Sequence, residues 1–124
     1  MPQKPSSTPT QFIQGAPVLP VRSVDLSVDF FEQNLGFQCD FRSPEYAVVW
    51  RDNAAFHFTR SNGAQAQAPV RIFNWLVDVD AYYKELEQRG TAITQEIGDR
   101  DYGIRDFSVT DVNGFILIFG QDIY

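Results

Sequence analysis

The chain has a single cysteine, Cys39, and a single histidine, His57. One cysteine excludes an internal disulfide framework and fits a reducing cytoplasm. One histidine, with no His-x-His and no Cys-x-x-Cys spacing, supplies no zinc-type ligand set. Positive charge is scarce as well: ten Lys and Arg stand against sixteen Asp and Glu, a formal net charge of −6. Nucleic acid and anionic membranes need clustered Lys and Arg, so neither is an expected partner, whereas a cationic ligand is compatible with the balance. No apolar run is long enough to span a membrane and no signal-peptide pattern is visible, which predicts a cytoplasmic protein. A Gly-rich phosphate loop and a Ser-based nucleophile elbow are both missing.

Aromatic residues are abundant. They make up 15% of the 124 residues, and eleven of them are Phe. A chain of this length forms one domain that buries roughly two-thirds of its unfolded surface without help from a disulfide or metal. Aromatics beyond the needs of such a core suit a site for a flat or bulky small molecule.

Residues 1–15 are rich in Pro, Ser, Thr and Gln and read as a flexible arm, with Phe12 and Ile13 as its only anchors. Val18 to Val21 predicts a strand. Ser23 stands at an N-cap position with Asp25 in the first turn, and Val24, Val28, Phe31 and Leu35 form one helical face that Gly36 ends. Phe37–Phe41, Tyr46–Trp50 and Ala54–Thr59 read as three more strands. Residues 61–69 form a polar linker. The order then repeats: a strand over Val70–Val77, a helix capped by Asp78 with Val79, Tyr83 and Leu86 buried and Gly90 as its stop, and a strand over Thr91–Ile97. A hairpin closes the chain, with Ile104–Thr110 alternating, Asp111 to Gly114 turning, and Phe115–Phe119 apolar enough for burial on both faces. The prediction is an α+β chain of two βαβββ modules, residues 16–60 and 70–124. Each is a sheet with one helix-covered face and one open face, and the open faces curl around a cleft.

Three segments carry a family resemblance: VLPVRSVDLSVDFFEQNLGF from Val18, LVDVDAYYKELEQRG from Leu76, and YGIRDFSVTDVNGFILIFGQ from Tyr102. In this order and spacing the chain resembles the glyoxalase/bleomycin-resistance/extradiol-dioxygenase superfamily, also called the vicinal oxygen chelate fold. Its bleomycin-resistance-like branch is the most similar. The carrying residues are Tyr102, Gly103, Arg105, Phe107, Asp111 and Gly114, with Gly36, Phe37, Asp40 and Phe41 at the second strand. The resemblance implies a homodimer with ligand clefts at the interface, an N-terminal strand open to exchange, and sequestration of a bleomycin-like drug without chemistry.

Metal-dependent members hold a divalent ion on the first strand of each half and on later strands. Carried over by position, those ligands fall near Ala16, Arg71 and Ile118, none of which binds a divalent cation, so no metal and no cofactor are expected. The resemblance points Arg71, Phe73 and Trp75, which share one face of the fifth strand, into the cleft together with Ile118. It places Phe41 and Asp40 near the mouth and carries Tyr102 and Arg105 over as ligand-binding residues. Trp50 fits core and cleft equally. His57 reads as a pocket-lining or core histidine, with a metal site shared with Glu45 or Asp106, or acid/base work, as the alternatives. Cys39 lacks a neighbouring base and reads as a plain strand residue. The leading expectation is metal-independent binding of an aromatic or cationic small molecule. The alternative is a glyoxalase-like lyase or another small-molecule enzyme of the superfamily; a ligand sensor is a third reading.

Overall fold

The computed structural model describes residues 9–63 and 70–123. The first eight residues of the predicted arm and the linker stretch 64–69 lie outside the described residues. The chain divides into two compact units, residues 1–65 and 66–124. Each holds one βαβββ module with its own four-stranded mixed sheet.

In the first module the elements are β1 (Val18–Val21), α1 (Val24–Leu35), β2 (Gln38–Arg42), β3 (Tyr46–Arg51) and β4 (Ala54–Arg60), with sheet order β1-β4-β3-β2. The β1–β4 pair is parallel and the others antiparallel. The helix starts as its sequence dictates. Ser23 is extended, and its Oγ accepts from the Leu26 N–H at 3.1 Å, satisfying one orphan donor of the first turn. It stops at Gly36, left-handed at φ 76°, where the Phe37 N–H reaches back to the Phe31 carbonyl at 2.9 Å. Val24, Val28, Phe31 and Leu35 are all buried, against Leu19, Val21, Ala47, Val49, Phe56 and Phe58 of the sheet. At the end of β2, Arg42 bridges to Asp25 (3.0 Å), Asp29 (3.0 Å) and Glu32 (3.7 Å) along one stripe of α1.

The second module has β5 (Arg71–Trp75), α2 (Val79–Gln88), β6 (Gln95–Asp99), β7 (Ile104–Thr110) and β8 (Ile116–Asp122), with sheet order β5-β8-β7-β6. Asp78 caps α2 by accepting from the Ala81 N–H at 3.1 Å, and the Val79 N–H is taken by Gln121 Oε1 at 2.7 Å, which ties β8 to the helix start. The buried residues of α2 are Val79, Tyr82 and Leu86, not Val79, Tyr83 and Leu86. Residues 82 and 83 are three and four positions from Val79 and four and three from Leu86, so periodicity alone does not choose between them. Tyr82 packs on Phe119 with ring centroids 5.0 Å apart, while the half-buried Tyr83 meets the edge of Phe107.

The closing hairpin forms with its turn held from inside. Asp111 is buried, and its Oδ1 accepts from the N–H groups of Asn113 and Phe115, both at 2.9 Å. Burial leaves the Asp111 carboxyl above its ordinary value, although the Asn113 side chain and the turn's N–H groups pull it down in part. Because Phe115 is engaged in the turn, β8 begins at Ile116 and runs three residues beyond Phe119. β8 does lie inside the sheet, between β5 and β7, but it is not sealed on both faces: Leu117 and Phe119 are buried on the helix side, and Ile116 and Ile118 are half-buried on the other. β6 begins at Gln95, four residues after the expected Thr91, because the Thr91 N–H is used to close α2 on the Leu86 carbonyl. Asp111→Ala is expected to cost about 1–3 kcal/mol, since two amides lose their acceptor, one of them in a buried setting. Urea unfolding monitored by circular dichroism checks this, with Asp111→Asn, which keeps one acceptor oxygen, expected to lose less.

Candidate ligand-binding faces

Register and strand alternation fix the composition of each sheet's open face. In the second module, Arg71, Phe73 and Trp75 of β5 stand beside Ile116, Ile118 and Gly120 of β8. Ile104, Asp106 and Ser108 of β7 continue the row. The two aromatic rings lie 4.7 Å apart, tilted by 55°, and Trp75 is 61% exposed. Gly120 makes this arrangement possible. A Cβ there would come within 2.5 Å of Phe73 Cζ and 3.0 Å of Ile104 Cγ2, so only the missing side chain lets the Phe73 ring lie down across β8.

Beneath the rings the face is polar but internally satisfied. Asp106 is buried. Arg100 Nε donates to its Oδ1 and the Tyr102 hydroxyl to its Oδ2, both at 2.8 Å. A second arm of Arg100 donates to the carbonyls of Glu96 and Asp106. The hydrogen bond to Asp106 holds the Tyr102 hydroxyl in its protonated form, while the Arg100 guanidinium, and after it that of Arg71, pulls the other way. Arg71 itself is exposed and makes no hydrogen bond or ion pair among the described residues.

Arg105, carried over as a ligand residue, points to the helix side. Its Nε donates to Asp80 at 3.0 Å and its Nη1 to Asp99 at 2.8 Å, clamping β7 to α2 and β6. It shares no face with Arg71, Phe73 and Trp75, because it is one residue out of step with Ile104 and Asp106.

On the first module's open face, Tyr46, Val48 and Trp50 of β3 pair with Thr59, His57 and Ala55 of β4. Val18 of β1 lies beside His57, and Phe41 of β2 beside Val48. Trp50 therefore stands away from the helix side, half-buried. The Tyr46 hydroxyl and His57 Nδ1 are 2.6 Å apart, rings edge-on at 87°. With the hydroxyl as donor, the imidazole carries its proton on Nε2. Asp40 is the extra residue of a bulge between Cys39 and Phe41, and it is exposed. Cys39 is on the helix side, where burial and then Glu32 push its thiol up, away from nucleophile character.

Sequence reasoning missed Asp106 with its Arg100–Tyr102 cradle, the Tyr46 partner of His57, and Gly120. Alternation from Ile104 would have placed Asp106 on the open face, and Gly-Gln after an apolar strand carries no signal of its own. A metal has no home at the inherited positions: Ala16 and Ile118 offer no donor atom, and Arg71 brings a fixed positive charge. Among the described residues, no group of three His, Cys, Asp or Glu side chains converges as a metal site. Glu45, considered as a companion for His57, pairs with Arg60 at 3.8 Å.

Two βαβββ modules in tandem, each with one helix-covered and one open sheet face, define the class of paired-module α+β domains. The family model described as the Glyoxalase/Bleomycin resistance protein/Dioxygenase superfamily matches residues 13–119, and the chain belongs to that superfamily. Similar solved structures include a bleomycin-binding protein from bleomycin-producing Streptomyces verticillus complexed with copper(II)-bleomycin. It is 26% identical, with a TM-score of 0.75 over 89% of this chain and 96% of that one. A bleomycin resistance determinant encoded on the transposon Tn5 is 22% identical, with a TM-score of 0.78 over 90% and 98%. TioX from Micromonospora sp. ML1 is 21% identical, with a TM-score of 0.74 over 89% and 98%. Among curated proteins there is no match.

Proposed function

We propose that the protein binds and sequesters an aromatic small molecule, with bleomycin-type antibiotics the first to test, and performs no metal chemistry on it. The observation that carries this reading is the Phe73–Trp75 pair, two large rings presented to solvent on the open face of a strand. Exposed rings held in place by their own sheet are a stacking platform, and planar heteroaromatics are the ligands such platforms take. Similarity to bleomycin-binding proteins supports the choice of ligand, and the missing donors at Ala16, Arg71 and Ile118 support binding without a resident metal. The reading extends to a cytoplasmic homodimer whose clefts are built from two copies, with Phe41, Asp40, Trp50, His57, Tyr102 and Ile118 lining them beside Arg71, Phe73 and Trp75.

Calorimetric titration with metal-free bleomycin, followed in parallel by tryptophan fluorescence, tests the proposal. Saturable binding at one ligand per chain is expected, and no heat and no change in emission would overturn it. The rival reading, a glyoxalase-like lyase, has one observation in its favour: the short Tyr46–His57 contact, a pair able to move a proton. Turnover of hemithioacetals by protein loaded with nickel, zinc, manganese or iron(II), and lost in His57→Ala, would establish that rival instead.

A further inference from the structure

Tyr102 stands 60% exposed in the tight turn between β6 and β7. There the Gly103 N–H donates to the Arg100 carbonyl at 3.0 Å and the Arg100 N–H to the Ile104 carbonyl at 2.8 Å. Those bonds fix the backbone of the turn and leave the ring to swing. What holds the ring is its hydroxyl, which donates to Asp106 Oδ2 at 2.8 Å. Asp106 is only 3% exposed, and its other oxygen is taken by Arg100 Nε at 2.8 Å. Arg100 is itself braced, its Nη2 donating to the carbonyls of Glu96 at 2.7 Å and Asp106 at 3.0 Å. A buried carboxylate gripped by a guanidinium has little freedom of its own, so an exposed phenol hangs from an immobile anchor.

The anchor lies beside the ring pair. Asp106, Gly120 and Trp75 form one row across β7, β8 and β5. The bare Gly120 leaves a gap in that row, with the Trp75 and Asp106 backbones two strand spacings or roughly 10 Å apart. Phe73 Cζ and Asp106 Cβ both come to the edge of the gap, since a Cβ at position 120 would stand 2.5 and 3.2 Å from them. The hydroxyl end of Tyr102 is therefore on the β7 side of the gap and Trp75 on the β5 side. We infer that Asp106 is a positioning residue of the ligand site: with Arg100 behind it, it holds the Tyr102 ring as a second wall before the ligand arrives. A side chain ordered in advance is not ordered at the ligand's expense, which is worth about threefold to tenfold in affinity. This inference rests on the stacking reading above and adds to it how the wall beside the platform is held.

Metal-free bleomycin, titrated calorimetrically into the protein and into Tyr102→Ala, Tyr102→Phe, Asp106→Ala and the double variant Tyr102→Phe/Asp106→Ala, tests it. Tyr102→Phe keeps the ring and cuts the tether. It is expected to bind about threefold to tenfold more weakly, with urea unfolding nearly unchanged because the position is exposed. Tyr102→Ala should lose more. Asp106→Ala should lose the same factor as Tyr102→Phe, and the double variant no more than either. A purely structural Asp106 would weaken binding further in the double variant, and a hydroxyl that touches the ligand directly would leave Asp106→Ala close to the unaltered protein; either result overturns the assignment. Tyr102→Phe decides even where Asp106→Ala fails to fold: unchanged affinity there removes the positioning role while the Phe73–Trp75 platform stands. If the unaltered protein takes up no bleomycin, platform and positioning role fall together.

Discussion

Trp75→Ala is expected to weaken binding of an aromatic ligand by about 1–3 kcal/mol, the range lost when a base-stacking aromatic is truncated. Stability should change little, by about 0.5 kcal/mol or less, as is usual for exposed positions. The two effects separate because Trp75 is 61% exposed: its ring touches Phe73, but most of its surface is not used to hold the fold. Ligand affinity from calorimetry and unfolding free energy from urea titration, measured on the same protein, decide the matter. Unchanged affinity together with a marked loss of stability would make Trp75 a structural residue and remove the platform. Phe73→Ala is the less clean test, since that ring also covers Gly120 and Ile104.

Phe31→Ala is expected to cost about 3–5 kcal/mol of folding free energy. Phe31 is fully buried and meets Phe37, Phe56 and Phe58 with ring centroids 5.3, 4.9 and 5.2 Å away, so one helix residue joins the start of β2 to the centre of β4. Removing it leaves a cavity bounded by rings on stiff strands, which collapse poorly into it. A domain this size has only about 5–15 kcal/mol to lose, so the variant should unfold at a much lower urea concentration. Phe31→Leu, which refills most of the space, should lose markedly less. A loss below about 1 kcal/mol for Phe31→Ala would show that the first module's core is looser than its ring contacts describe.

The elements that were legible from sequence are those whose signals are local. Ser23 and Gly36 set both ends of α1 through bonds to residues at most six positions away, and Asp111 to Gly114 form a turn from their own side chains and one glycine at φ 88°. The face shared by Arg71, Phe73 and Trp75 followed from alternation alone. What escaped depended on residues distant in sequence. Whether Trp50 faces the helix or away is decided by its register with Ala55 and Gln38, and alternation defines two faces without naming them. Tyr46 and His57 meet only because β3 and β4 pair as they do. Arg105 looked like a site residue by analogy, yet its partners Asp80 and Asp99 come from two other elements, and a carboxylate on either side of a guanidinium leaves it little freedom. Asp106 enters the sequence reading only as a metal companion for His57; the Arg100 and Tyr102 bonds that hold it depend on a turn folding back over β7.

Gly120 acts as a spacer. The depth at which the ring pair rides above the sheet is set by how far Phe73 sinks toward β8, and that depth is limited by what stands at position 120. A methyl group there would raise the ring by about its own thickness and change the angle that Phe73 presents to Trp75. The height and tilt of the ring pair are thus encoded in a residue with no side chain.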